Sequence, residues 1–171
     1  MKNGEFIIAI DIGTTLTKGI IYRVKGGIEK TASFSHQIHC PSSGIVEQDP
    51  DEVCSGVEKV IHELSGRIKP SSIIALVFGG ILHSFIPIDG RKKPLNRALI
   101  WADLRSLKEC EALRKRLDVE EVKRRTGCTL HPLYFLPRIL WFRERLPDIF
   151  KKTWKFISIK EYVMLKLFGS L

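Results

Sequence analysis

EFIIAIDIGTTLTKGIIYRVKGGIEKTASFSHQI (residues 5–38) decides the fold of this chain. Residues 5–12 form an apolar run closed by an acid, which reads as a buried strand. Gly13-Thr14-Thr15 is a turn signal, residues 16–24 read as a second strand, and Lys25-Gly26-Gly27 turns the chain into a third over 28–38. Two short turns in succession make an antiparallel meander of three strands.

Downstream the period changes. Asp49 is a candidate N-cap, Pro50 takes the first helical position, and Val53, Val57, Val60, Ile61 and Leu64 recur at helical spacing. Residues 73–78, IIALVF, form a short continuous apolar run of the kind expected in a central strand. Two short strands are expected around the turn in 84–101. Helices are expected over 106–117, 119–125 and 136–146, a strand over 154–159, and a last helix from Lys160 to Phe168, before Gly169-Ser170-Leu171. Phe78, Phe85, Trp141 and Phe142 read as core. Strands followed by alternating helices and strands define an α/β layered domain.

The 171 residues carry 28 Lys+Arg against 19 Asp+Glu, a net charge of +9. The excess is +2 over residues 1–100 and +7 over 101–171. The runs Arg114-Lys115-Arg116 and Lys123-Arg124-Arg125 alternate with Glu and Leu at helix-forming positions, as on a solvated helix face. No aromatic residues interleave with them, so a nucleic-acid surface is the weaker reading. No apolar run of about 18 residues exists, which argues against a membrane helix, and the N-terminal apolar segment is too short for a secretory leader. Cys40, Cys54, Cys110 and Cys128 form no C-x-x-C pair, so reduced cytoplasmic thiols are expected. His36 and His39 fall on opposite faces of a strand, and Cys128 with His131 lacks an orienting acid. Neither pair makes a site.

Asp11-Ile12-Gly13-Thr14-Thr15 carries the chemistry. An acid at a strand end, a glycine that turns tightly, two hydroxyls and backbone N–H groups can face one point. Such a turn can cradle a phosphate while the carboxylate holds a hydrated Mg²⁺, with Thr17 and Lys18 adding a hydroxyl and a cation. The same residues also suit a plain hairpin turn, and the pentapeptide alone leaves both readings open.

The order of pieces along the chain resembles the FGGY family of carbohydrate kinases, within the actin-like ATPase superfamily. The matching pieces are IAIDIGTTLTKGIIY (8–22), GIVEQDPDEV (44–53), GGILHS (79–84), IDGRKKPLNRALIWADLRS (88–106), RRTGC (124–128), the P-x-x-x-x-P-R-I-L-W stretch (132–141) and ISIKEYVMLKLFG (157–169). The resemblance implies a ribonuclease H-like mixed sheet with three antiparallel N-terminal strands, flanked by helices. It makes residues 1–171 an incomplete first lobe, with the second, ATP-binding lobe absent. It implies transfer of the γ-phosphate of ATP, with Mg²⁺, to a hydroxyl of a small sugar, ketose, sugar acid or polyol. Asp11 matches the acid that organises Mg²⁺ and phosphate, and Gly13, Thr14 and Thr15 match the first phosphate turn. His83 matches a sugar-bonding residue of the xylulokinase branch, with Leu82 where that branch has Met. Trp101, Asp103 and Arg105 match a W-x-D-x-R motif lining the sugar pocket, where an indole face packs on sugar C–H groups. Leu133 stands where the glycerol kinase branch places a substrate-facing Tyr, and neighbouring Tyr134 substitutes for it only if the register shifts. His83-Ser84 with Trp101-Ala102-Asp103 is nearer the gluconokinase type. The family's catalytic Asp falls beyond the residues matched, so this piece alone is expected to be inactive. Its expected partners are the remaining part of the kinase or a second polypeptide, with a homodimer as a further expectation. A non-catalytic sugar- or nucleotide-sensing module of the same fold is the alternative.

Overall fold

The computed structural model describes residues 4–170, so Met1-Lys2-Asn3 and the terminal Leu171 of the expected closing turn lie outside the described residues. In chain order the elements are β1 (Phe6–Ile12), β2 (Leu16–Arg23), β3 (Gly27–Ser35), β4 (Glu47–Gln48), α1 (Pro50–Ser65), β5 (Ile73–Gly80), β6 (Ile86–Ile88) and β7 (Ala98–Leu99). There follow α2 (Leu107–Arg116), α3 (Val119–Thr126), α4 (Phe135–Arg145), α5 (Pro147–Lys152), β8 (Lys155–Ile157) and α6 (Ile159–Phe168). Of these, α5 has no counterpart in the sequence reading. Pro147 both ends α4 and occupies the first turn of α5. The single lobe read over 1–171 resolves into two compact units. One comprises the residues up to 38, 48–81 and those from 159 on; the other comprises 39–47 and 82–158.

In the first unit the strand order is β3-β2-β1-β5. The three N-terminal strands are antiparallel, and β5 runs parallel to β1. Phe6, Ile8, Ile10 and Ile12 alternate inward and are at most 2% exposed. Burying each contributes roughly 1.5–3 kcal/mol, an upper estimate. Their cover is α1, through Val53, Val57, Val60 and Leu64. The helix starts where the sequence places it: the Asp49 side chain accepts hydrogen bonds from the N–H groups of Asp51 and Glu52. Gly19 on β2 lets α1 approach. A Cβ there would stand 2.6 Å from Val60 and 2.8 Å from both Ile10 and Leu64. On the same side, α6 packs Phe168 edge-on against Phe78 of β5, and Tyr162 donates to the Asp51 carboxylate of α1.

Contrary to the central position expected for IIALVF, β5 ends the strand order among the described residues. Its Ile74 and Val77 are 53% and 52% exposed. Continuous hydrophobicity signals strand but does not place it within a sheet.

The second unit has an aromatic core. Phe85, Leu99 and Phe142 are fully buried, with Ile139, Trp141, Phe150 and Phe156 against them. Phe85 stacks on Phe156 at 4.8 Å between centroids. Here β6 pairs antiparallel with β8. Phe85 and Leu99 exchange both backbone hydrogen bonds, at 2.8 and 3.0 Å.

Gly19→Val should cost about 1–3 kcal/mol by overpacking, read as a lower urea midpoint. Gly90→Ala, which meets nothing within 4 Å, should leave that midpoint nearly unchanged.

Candidate functional site

In the first unit the alternation that buries Ile10 and Ile12 turns Asp11 to the opposite, solvent-facing side of the sheet, where its side chain is exposed. Its cross-strand neighbours are Lys18 on β2 and Gly79 on β5. Gly79 has no side chain to cover the carboxylate. Asp11 therefore opens into a groove of about 420 Å³ lined by Ala9, Asp11, Lys18, Ile20, Val77 and Gly79. A larger hollow of about 540 Å³ lies by the end of α1, where Lys30 pairs with Glu63; it holds no cluster of catalytic type.

The turn after Asp11 is tight. Gly13 N–H donates to Leu16 O at 3.1 Å, and a Cβ on Gly13 would stand 2.7 Å from that oxygen, so glycine is required. The buried Gln48 donates its amide to Thr14 O at 2.6 Å, and His36 N–H donates to Thr15 O at 2.9 Å. Two carbonyls of the turn are thus pinned from below, and the Thr15 side chain is exposed. Among the described residues no group of three His, Cys, Asp or Glu side chains could cage a metal. Asp11 offers a single carboxylate, which suits a hydrated Mg²⁺ held through water.

Thr17 departs from its expected place in the phosphate cradle. It is fully buried on the α1 side, and its hydroxyl is hydrogen-bonded to His36 Nε2 at 2.6 Å. Residues 17, 19 and 21 share the inward parity of β2, so Thr17 and Lys18 face opposite ways. Desolvation holds His36 below the usual imidazole range, partly offset by Glu52.

In the second unit Leu82 and Trp101 are 69% and 53% exposed, and His83 is exposed as well. His83 has left-handed backbone, φ 60, and its carbonyl accepts a hydrogen bond from Arg138 Nη1 at 2.5 Å. Desolvation, then the charges of Arg138 and His131, hold its imidazole below the ordinary range. Tyr134 meets His83 edge-on at 5.3 Å and His131 at 6.3 Å. Tyr134, one residue past Leu133, thus contacts both His83 and His131.

Asp103 and Arg105 are not open to a ligand, which corrects the reading of both as sugar-contacting. Asp103 is fully buried. Its Oδ1 accepts from Arg105 N and Nε at 3.2 and 2.8 Å, and its Oδ2 from Val46 N and Arg105 Nη2 at 2.8 and 2.7 Å. The Arg105 fork also reaches Glu47 at 2.7 Å and lies 5.0 Å from the Trp141 ring centroid. Burial works against the Arg105 charge, but the two carboxylates outweigh it and raise its pKa. The basic runs are likewise tied locally: Arg124 pairs with Glu121, and Arg114 donates to Leu130 O. No helix of the described residues is long and apolar enough to cross a membrane.

A family model described as FGGY family of carbohydrate kinases, N-terminal domain, matches residues 6–171. The gluconokinase of Bacillus subtilis (strain 168) is 32% identical over 165 residues, covering 96% of this chain and 32% of that protein. The xylulose kinase of Lactococcus lactis (strain IL1403) is 30% identical, covering 97% and 33%. Among solved structures, the gluconate kinase from Lactobacillus acidophilus superposes with TM-score 0.91 at 28% identity, over 98% of this chain and 34% of that one. The ligand-bound xylulose kinase from the same organism gives 0.90 at 28%, over 96% and 34%. The chain belongs to the FGGY family of carbohydrate kinases and spans about one third of the length of the curated relatives it matches.

Arg105→Ala strands the buried Asp103 carboxylate and the partly buried Glu47 and should cost about 3–5 kcal/mol in the absence of any ligand, measured by denaturant unfolding. Because burial lowers the folded-state pKa of His36, the unfolded chain binds more protons below about pH 6.5. Stability should fall as pH drops through that range, and His36→Gln should flatten the fall in urea midpoint.

Proposed function

We propose that this chain is the first phosphate-binding and acceptor-binding part of an ATP-dependent sugar kinase. It serves transfer of the γ-phosphate of ATP to a hydroxyl of a small sugar, ketose, sugar acid or polyol. The observation that carries this reading is the exposed Asp11 carboxylate at the mouth of the Gly13-Thr14-Thr15 turn, opposite Lys18. Gly13, Thr14 and Thr15 offer the turn to the phosphate tail, and Lys18 adds positive charge. Mg²⁺, held through water by Asp11, would offset phosphate charge. The acceptor is assigned to Leu82, His83 and Trp101: the indole face takes sugar C–H groups, and the His83 ring nitrogens orient hydroxyls. Held below its usual pKa, His83 is neutral at pH 7 and both donates and accepts.

This chain's share of the work is positioning and charge stabilisation, which dominate phosphoryl transfer. No base for the acceptor hydroxyl is assigned among the described residues. Asp103 is locked in its ion pair, and Asp11 serves the phosphate. The base and the rest of the nucleotide site are assigned to the two thirds of the relatives' length that this chain does not match. Four free thiols support a cytoplasmic setting.

In the full-length polypeptide, Asp11→Ala should abolish turnover while leaving sugar affinity within about twofold. His83→Ala should instead raise the sugar KM about tenfold or more, the value of a lost hydrogen bond. Steady-state kinetics with ATP and gluconate, xylulose or glycerol reads both. Parallel loss of sugar binding in Asp11→Ala, or an unchanged sugar KM in His83→Ala, contradicts these roles.

A further inference from the structure

Arg138 is an unexpected tenant of the second unit's core. It lies on α4, flanked by Pro137 and Ile139, and is fully buried. A buried guanidinium costs several kcal/mol unless its surroundings repay it, and an apolar residue of similar volume is often as stable or more so. Arg138 makes no ion pair with a carboxylate among the described residues. Its nearest countercharge is Asp103, already engaged by Arg105, and burial lowers the guanidinium's pKa to about 10. Its Nε is buried without a partner. Its hydrogen bonds go to backbone carbonyls: Nη1 to His83 O at 2.5 Å and Leu99 O at 3.4 Å, Nη2 to Ile100 O at 2.6 Å.

Those carbonyls have a particular place. Phe85 and Leu99 form an antiparallel bridge by exchanging two backbone bonds. Two residues further along each strand, the same register would oppose His83 to Trp101. The strands part there, His83 turns into left-handed backbone, and both side chains become exposed. The Arg138 fork spans the opening, one arm on the carbonyl of His83 and the other on that of Ile100, the residue before Trp101.

We propose that Arg138 is a positioning residue for the acceptor: it wedges apart the two segments that carry His83 and Trp101 and fixes their separation. This rests on the assignment of those two side chains to the sugar. A planar fork with paired donors can hold two carbonyls at a set spacing, and a lysine ammonium on a flexible stem cannot. The left-handed backbone at His83, itself costly, is held by the same contact. The unpartnered Nε is a further cost of this placement, which the three carbonyl contacts must offset.

The test compares Arg138→Lys with Ile139→Val in the full-length polypeptide. The second variant trims the adjacent aromatic core and costs about 1 kcal/mol of stability without touching the fork. Hydrogen–deuterium exchange is followed in peptides covering 80–86 and 98–104, alongside KM for sugar and for ATP. Arg138→Lys should speed exchange in both peptides and raise the sugar KM about tenfold, equivalent to one hydrogen bond, with ATP KM and kcat within about twofold. Ile139→Val should leave the sugar KM unchanged. The proposal is overturned by exchange matching the parent, by faster exchange with an unaltered sugar KM, or by Ile139→Val raising the sugar KM as much. A parent that phosphorylates no sugar, ketose, sugar acid or polyol defeats the functional reading instead, and the exchange rates still decide whether Arg138 holds the two segments.

Discussion

The inward turn of Ile10 and Ile12 puts Asp11 in solvent. A strand has only two faces, and burying one against α1 commits the intervening residue to the other. A slip of one residue in β1 would bury a carboxylate under α1 and expose Phe6 and three isoleucines, at a cost no local contact could recover. The position of the acid is therefore fixed by the hydrophobic register of the sheet rather than by any bond the acid makes. Whatever the carboxylate does, it is presented by packing on the opposite face.

That packing depends on close approach. Gly19 admits Val60 and Leu64 to the middle of β2, and Asp49 caps the helix that carries them. The turn itself is held by a second set of constraints. Gly13 is forced by Leu16 O, while Gln48 and His36 fix the carbonyls of Thr14 and Thr15 from beneath. Thr17 and His36 belong to this support: Thr17 is buried on the α1 side of the sheet, and its hydroxyl is hydrogen-bonded to His36 Nε2.

Much of this was legible before any coordinates. The three strands, the capped α1 and the two turns announce themselves through short-range signals: period, glycine, proline and an N-cap acid. Even the burial of Thr17 was within reach, since 17, 19 and 21 share a parity that Ile21 marks as inward. What the sequence did not disclose were consequences of distant partners. Asp103 reads as a pocket acid until Glu47 and Val46, more than fifty residues earlier, are seen around the Arg105 fork. The burial of Arg138 has no short-range signal, because the carbonyls that hold it come from residues 83 and 100. Tyr134 reaches His83 by a tertiary contact that no spacing rule anticipates. The place of β5 at the end of the strand order, among the described residues, could not be read because a continuous apolar run signals a strand and not its neighbours.

Within the second unit, two acids and two arginines form a set of balanced charge, with Asp103 and Arg138 fully buried and Glu47 and Arg105 partly so. Fixed charges of this kind favour one arrangement of the loops above them. The most direct measurement of the central claim is a crystal structure of the full-length polypeptide with a non-hydrolysable ATP analogue and Mg²⁺. The account predicts the phosphate tail against the Gly13-Thr14-Thr15 turn, with the cation's water shell touching the Asp11 carboxylate. A bound nucleotide whose phosphates and metal lie away from that turn would contradict it.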